Sequence, residues 1–207
     1  MLELIFFVIT SFLVGLSGAI VPGPMLTVTI SDSLKKGYKA GPLVVSGHII
    51  AEIMLIILII SGMRWLIESS TAALIIGTVG GTVLILMGYN LLDTQKDDYK
   101  TGGELKDGQN SVTHGIITSI SNPYFYLWWA TIGFAFMFKG LQIAGIIGFL
   151  GFFLGHWSAD LSWYSMISVF TSKGSRIMNK NTYMLIMKIC GIFLIILGLY
   201  FIISVTF

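Results

Sequence analysis

Residues 41–62 read GPLVVSGHIIAEIMLIILIISG, an apolar run in which Glu52 is the one residue with a full charge at neutral pH. A run of about 20 apolar residues is long enough to cross a lipid bilayer as a helix. The segment GHIIAE at 47–52 recurs as GHWSAD at 155–160, again inside a long apolar run. This stretch therefore predicts a membrane-spanning helix that carries a histidine and a carboxylate four residues apart, and it indicates an internal repeat.

The composition of the whole chain is that of a membrane protein. Of its 207 residues, 55% are apolar and 11% are charged, with a mean hydropathy of +0.88, whereas a soluble domain is about 25% charged. A water-soluble globular protein is therefore excluded. The single cysteine, Cys190, excludes a disulfide framework, a CxxC zinc site and a dithiol relay within one chain. A net charge of +2 does not indicate nucleic-acid binding.

Apolar stretches predict an all-α membrane protein with six transmembrane helices. The first and fourth spans are longer than a bilayer requires, and each contains a break, Pro22-Gly23-Pro24 in the first and Asn122-Pro123 in the fourth. Proline removes a backbone donor and disfavours helix in the residue before it, so both spans are predicted to be two half-helices. The predicted spans are 4–31, 41–62, 70–92, 112–138, 141–168 and 186–206.

The distribution of Lys and Arg predicts on which side of the membrane each connection between these spans lies. The odd-numbered connections carry nine Lys and Arg residues, whereas the even-numbered ones carry Arg64 and Lys139. The positive-inside rule then puts the connections at about 32–40, 93–111 and 169–185 in the cytoplasm and both termini outside. The segment 93–111 is nearly neutral and contains Gly102-Gly103. We interpret it as a flexible linker between a first repeat, 1–92, and a second repeat, 112–207.

The two repeats are predicted to be inverted. Each has three spans, so the second enters the membrane from the opposite side, an arrangement typical of secondary transporters. A second match supports the repeat, Gly81-x-x-Leu84-Ile85-x-x-Gly88 against Gly191-x-x-Leu194-Ile195-x-x-Gly198. The broken spans match more loosely, because Pro24 precedes His48 by 24 residues and Pro123 precedes His156 by 33.

An inverted repeat would bring His48 and Glu52 together with His156 and Asp160. Residues four apart share a helix face, and a carboxylate near the membrane centre costs about 2.5–3.5 kcal/mol on insertion scales. Three interpretations remain open. Each histidine satisfies its own carboxylate as a structural pair, or the four groups form a proton relay, or they bind a divalent cation such as manganese, zinc or iron.

The two helix breaks also have two interpretations. They are simple kinks, or their unwound backbone exposes amides and carbonyls to a substrate. On the second interpretation the substrate-binding residues are Pro22, Gly23, Pro24, Asn122, Pro123, Glu52 and Asp160.

The segment Gly15-x-x-Gly18-x-x-x-Pro22-Gly23-Pro24 resembles the G-x-x-x-P-G-P signature of the LysE/RhtB amino-acid exporters. The length, the six spans and Asn122-Pro123 also resemble that family. The resemblance implies an inner-membrane exporter of amino acids or related amines that is driven by the proton gradient and works as a homodimer. Members commonly carry N-P-K where this chain has Tyr124 after Pro123. The wider superfamily includes exporters of divalent metals.

We therefore expect a proton-coupled, alternating-access exporter of amino acids or related amines, with Glu52, Asp160, His48 and His156 coupling proton movement to transport. Its expected partners are the lipid bilayer, a small-molecule substrate and protons, without a cofactor or nucleic acid, in a prokaryotic plasma membrane. The alternative is a divalent metal exporter with His48, Glu52, His156 and Asp160 as ligands. A second alternative is a non-transporting scaffold or accessory subunit. No HExxH motif or nucleophile–base arrangement indicates an enzyme.

Overall fold

A computed structural model describes residues 1–61, 69–93, 108–175, 177 and 179–206. All regular structure in these residues is helical. Arg64 and most of the predicted linker 93–111 lie outside the described residues. Five residues in π-helical conformation, Trp129–Gly133, join the helices Pro123–Trp128 and Phe134–Ser175. The helices are α1 (Leu2–Ala19), α2 (Pro24–Lys36), α3 (Ala40–Ile60), α4 (Ser70–Leu92), α5 (Gly108–Ile120), α6 (Pro123–Trp128), α7 (Phe134–Ser175) and α8 (Lys180–Thr206).

Five helical stretches of the described chain are long and apolar enough to cross a membrane: Leu2–Ala19, Ala40–Ile60, Ser70–Leu92, Pro123–Ser175 and Lys180–Thr206. The stretch Pro123–Ser175 is 53 residues long and covers most of the predicted fourth span and all of the fifth. It is interrupted inside α7, where Ala144 and Gly145 leave the helical conformation and Gly145 has a φ of 59°. The positive φ suits glycine, which has no Cβ to oppose it.

The interruption reverses the direction of the chain. A Cβ added to Gly140 would lie 2.5 Å from the carbonyl oxygen of Gly148, although residues eight apart in a straight helix are separated by about 12 Å. Helix α7 therefore has two antiparallel arms, residues 134–143 and 146–175. The boundary between the fourth and fifth spans was predicted at 139–140, because the charged residue Lys139 interrupts the apolar sequence there. In the structure the turn forms at Gly145.

Both proline motifs begin a helix. Helix α1 ends at Ala19, and α2 begins at Pro24 with the extended residue Gly23 as its N-cap. Helix α5 ends at Ile120, and α6 begins at Pro123, with the side chain of Asn122 accepting a hydrogen bond from the backbone N–H of Tyr124 at 3.1 Å. Proline suits the first helical position because it has no N–H to leave unpaired. The first broken segment extends to Lys36, five residues beyond the predicted end of its span.

Helices α4 and α8 pack against each other through the second repeated motif. Gly81 lies against the Gly198 carbonyl, and Gly88 lies against the Gly191 carbonyl, so the two helices are antiparallel. Leu84 and Leu194 are fully buried in this region. Small residues let two membrane helices approach closely, so the glycines of this motif serve packing.

The other principal contacts position the histidine motifs. Helix α3 packs on α5 where Gly47 meets the carbonyl of Val112, and the second arm of α7 packs on α1, where a Cβ on Gly155 would lie 2.5 Å from the Val8 carbonyl. Both motifs therefore face the interior, next to the buried core of Phe125, Trp129 and Phe152. The outer surface exposes many large aliphatic side chains, as a lipid-facing surface requires.

Candidate functional site

The structure brings His48 and Glu52 of α3 together with His156 and Asp160 of α7. One ligand atom from each residue lies within 4.8 Å of the other three. The Oε1 atom of Glu52 lies 2.8 Å from Nε2 of His156 and 3.2 Å from Nε2 of His48. The Oδ2 atom of Asp160 lies 3.6 and 3.9 Å from the same two nitrogens. We call these four residues the His/carboxylate cluster.

The cluster is closed off from the surface. Glu52 is 1% exposed and both His156 and Asp160 are 4% exposed, while the side chain of His48 is 13% exposed. Two imidazoles can supply the positive charge that two buried carboxylates need. The arrangement can therefore hold protons or a cation at a depth where isolated charges are unfavourable.

Two tryptophans complete the surroundings of Glu52. The indole N–H of Trp129 donates to Oε1 at 3.1 Å, and that of Trp157 donates to Oε2 at 2.7 Å. Trp129 opens the π-helical segment, a local irregularity that is common at functional sites. Neither of these tryptophans was predicted from the sequence as a partner of Glu52, and Trp157 was missed altogether. Its position directly after His156 was the available signal, because a buried indole N–H needs an acceptor.

The two imidazoles have different neighbours. Nδ1 of His48 lies 2.8 Å from the hydroxyl of Ser119. His156 is stacked between Trp128 and Phe152, with ring centroids at 4.6 and 5.7 Å. Nδ1 of His156 has no hydrogen-bond partner among the described residues and faces Gly15, where an added Cβ would lie 2.8 Å away.

The residues of the two helix breaks are separate from this cluster. Pro22 is exposed, Gly23, Asn122 and Pro123 are half-buried, and Pro24 is buried. Within the described chain, no hydrogen bond or ion pair joins any of these five residues to the His/carboxylate cluster. The helix that follows the second break does reach it, because Phe125 lies edge-on to His48 with a centroid distance of 5.7 Å.

A second polar cluster, not predicted from the sequence, links α2 to α5. Oδ2 of the buried Asp32 accepts from Ser111 at 2.6 Å, and it lies 2.9 Å from Nδ1 of His114 and 3.3 Å from Nζ of Lys36. Burial opposes ionisation of Asp32, but the hydrogen bonds and charges from His114, Ser111 and Lys36 outweigh it and lower the pKa of this carboxyl. The signal in the sequence was the i,i+4 pair of Asp32 and Lys36. We call these four residues the Asp32 cluster.

The helical fold and the buried cluster define a multi-pass integral membrane protein. The family model of the LysE type translocator matches residues 16–205, nearly the whole chain. The chain therefore belongs to the LysE type translocator family, which confirms the resemblance seen in the sequence and makes it a membrane translocator, not an enzyme. No curated protein and no solved structure matches the chain.

Proposed function

We propose that the chain is a proton-coupled, secondary-active exporter of amino acids or related amines. The observation that carries this proposal is the His/carboxylate cluster, buried between α3 and α7 of a membrane translocator. Ionisable groups inside a membrane protein are energetically costly and mark the paths of substrates and protons. Imidazoles exchange protons near neutral pH. The cargo ammonium and protons then occupy the cluster in turn.

Alternating access follows from an inverted repeat, which remains part of the proposal. The first repeat comprises α1 to α4. The second comprises α5, α6, the two arms of α7 and α8, with the reversal at Gly145 separating its first two spans. The matching contacts of Gly47 with Val112 and of Gly155 with Val8 support this pairing. Rocking of one repeat against the other would open the cluster to each side of the membrane in turn.

The breaks at Pro22-Gly23-Pro24 and Asn122-Pro123 serve as hinges in this scheme. Each joins two helices within one broken span, so rotation there moves a half-helix without unfolding its neighbour. Their unpaired backbone groups become cargo contacts when the cluster opens. The protein works in a prokaryotic plasma membrane as a homodimer, with Lys35, Lys36 and Lys39 on the cytoplasmic side.

A divalent metal ion is the second candidate cargo, and the spacing of the cluster favours it. Zinc-like ions lie about 2.0–2.2 Å from N and O ligands, so tetrahedral ligands are about 3.3–3.6 Å apart. The four imidazole–carboxylate separations range from 2.8 to 3.9 Å. An ammonium at about 2.8 Å from each acceptor needs acceptors about 4.6 Å apart. The separations are closer to those of a metal site than to those of an ammonium site, so the four side chains would shift less to bind a metal ion than to bind an amine.

Flux measurements in proteoliposomes test these proposals. We expect vesicles with a pH gradient to move L-lysine or Mn²⁺ together with opposite proton flux, measured with a radiolabel and an internal pH dye. Double replacement by Glu52→Gln and Asp160→Asn should abolish both fluxes, whereas Asp93→Asn, at an exposed carboxylate, should leave them intact. Movement of L-lysine alone supports the amine exporter, and movement of Mn²⁺ alone supports the metal exporter. An absence of any flux in the wild type would leave the scaffold or accessory-subunit alternative.

A further inference from the structure

The two carboxylates of the His/carboxylate cluster are not equivalent. Glu52 accepts hydrogen bonds from the ring N–H groups of Trp129 and Trp157 and lies 2.8 Å from Nε2 of His156. A carboxylate has about four lone-pair sites, so three are occupied. Oδ2 of Asp160 is buried and has no hydrogen bond within the described part of the chain. Its nearest cluster nitrogens are 3.6 and 3.9 Å away.

The histidine tautomers follow from the surrounding acceptors. Ser119 donates its single hydroxyl proton to the carbonyl of Gly115 at 2.7 Å, so its oxygen accepts from Nδ1–H of His48 at 2.8 Å. A neutral His48 therefore turns the lone pair of Nε2 towards the carboxylates. His156 has the opposite tautomer, because Glu52 can accept only from an Nε2–H group.

With His48 in this neutral form, the lone pair of its Nε2 faces two carboxylate oxygens inside the protein. They are Oε1 of Glu52 at 3.2 Å and Oδ2 of Asp160 at 3.9 Å. A buried polar atom without a hydrogen bond is unfavourable unless a partner reaches it. A cation between these atoms would give Asp160 its partner. Glu52 already has three ring N–H groups as partners, whereas Oδ2 of Asp160 has none among the described residues.

We propose that the transported cation binds at Asp160 and His48, and that Glu52 is a positioning residue. Glu52 is an anion that the ring N–H groups of Trp129, Trp157 and His156 hold in place, and in turn it orients the two imidazoles. This assignment rests on the proposed function and applies to a protonated amine and to a divalent metal ion, because both are small cations that need an electron-pair donor. The repeat alone would give Glu52 and Asp160 the same role, whereas this assignment gives them different roles.

Binding to the purified full-length protein tests the assignment, with L-lysine and MnCl₂ as the calorimetric probes. Whichever probe the wild type binds, Asp160→Asn should lower its affinity about tenfold to hundredfold, the value of a hydrogen bond to a charged group. Glu52→Gln, which keeps both proposed cargo ligands, Asp160 and His48, should lower the affinity less than Asp160→Asn does. Asp93→Asn is the matched control for an Asp→Asn change.

The positioning role of Glu52 has a spectroscopic readout. The chain has three histidines, so ¹⁵N spectra of the imidazoles are tractable. We expect a proton on Nδ1 of His48 and on Nε2 of His156 in the wild type. Glu52→Gln should change the His156 signals, whereas Asp160→Asn should leave the His156 tautomer as it is.

The outcomes separate this inference from the proposed function. If the wild type moves a probe and Asp160→Asn binds it normally, the exporter proposal stands and the assignment to Asp160 is wrong. A greater loss of affinity in Glu52→Gln than in Asp160→Asn would also contradict it, since Glu52 would then be the cargo ligand. If the wild type neither binds nor moves either probe, both proposals fail.

Discussion

The segments 47–52 and 155–160 carry the same residue types but have different polar surroundings. Their glycines pack alike, each against a backbone carbonyl of a neighbouring helix, and Ala51 and Ala159 are both buried. The carboxylates differ, because Glu52 accepts two indole N–H groups and Asp160 accepts none from the described residues. The repeated residues therefore fix the backbone packing, while side chains that are not repeated, Trp129 and Trp157, give the two carboxylates different surroundings.

Substitution of the shared glycines should have the largest effect. A Cβ at Gly47 would overlap the carbonyl of Val112, and one at Gly155 would lie 2.5 Å from the carbonyl of Val8. Because backbone cannot move aside as a side chain does, we expect Gly47→Ala and Gly155→Ala each to reduce stability by about 3 kcal/mol, the upper end for overpacking. Thermal unfolding of the purified protein in detergent measures this loss.

Gly174→Ala is the control, because a Cβ there would meet no atom within 4 Å and no positive φ is involved. It should unfold like the wild type. If Gly155→Ala also does so while Gly47→Ala does not, the two segments do not share a packing role, and the structural side of the comparison is wrong.

Neutralising the carboxylates should affect stability unequally. Glu52→Gln keeps the shape but places an amide where the carboxylate accepts from Trp129 and Trp157. We expect a loss of about 2 kcal/mol, because hydrogen bonds to a charged group contribute about 1.5–3 kcal/mol each. Asp160→Asn removes a buried charge that lacks a hydrogen bond at Oδ2, so unfolding should shift little or to higher temperature. Equal losses in the two variants would show that the carboxylates are equivalent for stability.

The helices that follow the two breaks also differ in their polar contacts. Asp32, eight residues after Pro24, links α2 to α5 through the Asp32 cluster. The residue at the same distance after Pro123 is Thr131, whose hydroxyl bonds within its own helical segment. Asp32 has a lowered pKa, so its ionised form stabilises the fold. That contribution is present above pH about 4, the ordinary aspartate value, and is lost as the pH falls through the lowered pKa.

Asp32→Asn should therefore reduce stability by about 1.5 kcal/mol near neutral pH, and the difference from the wild type should shrink below pH about 4. Lys36 and His114 are the titratable partners of Asp32 in the described cluster. Unfolding followed at a series of pH values measures the difference, with Asp93→Asn as the exposed control. A difference that stays constant into the acid range would mean that ionisation of Asp32 does not contribute.

Sequence periodicity and residue type were sufficient for several features of the fold. Proline has a fixed φ and no N–H, so Pro24 and Pro123 marked where helices begin. The repeated GHxxA[E/D] segment predicted which four polar residues meet, because the spacing places each pair on one face. Charge was less informative, since the turn between the fourth and fifth predicted spans depends on the left-handed conformation of Gly145 and not on Lys139.

The polar partners could not be read from the sequence because they depend on tertiary contacts. Trp157 and Ser119 are far in sequence from Glu52 and His48, and their bonds form only when α7 and α5 pack on α3. The same holds for Asp32 with Ser111. Nothing in the repeat predicted that Asp160 would lack the donors that Glu52 has, since both carboxylates occupy the same motif position.

The smallest expected effect concerns the two histidines. Ser119→Ala removes the acceptor of Nδ1–H of His48, and the corresponding atom of His156 already faces Gly15 without a hydrogen-bond partner in the described part of the chain. We expect a loss of about 1 kcal/mol, the value of one neutral hydrogen bond, together with a mixture of His48 tautomers in ¹⁵N spectra.

Ser162→Ala is the matched control, because Ser162 also bonds the carbonyl four residues before it but is exposed, and in the described part of the chain its hydroxyl makes no hydrogen bond to His48. If Ser119→Ala behaves like Ser162→Ala in both measurements, the tautomer of His48 is set by the carboxylates alone. The two imidazoles would then be interchangeable, and the difference between the repeats would reside only in the indole groups around Glu52. If only Ser119→Ala shifts the tautomer, the hydroxyl on α5 is what makes His48 an electron-pair donor towards Asp160.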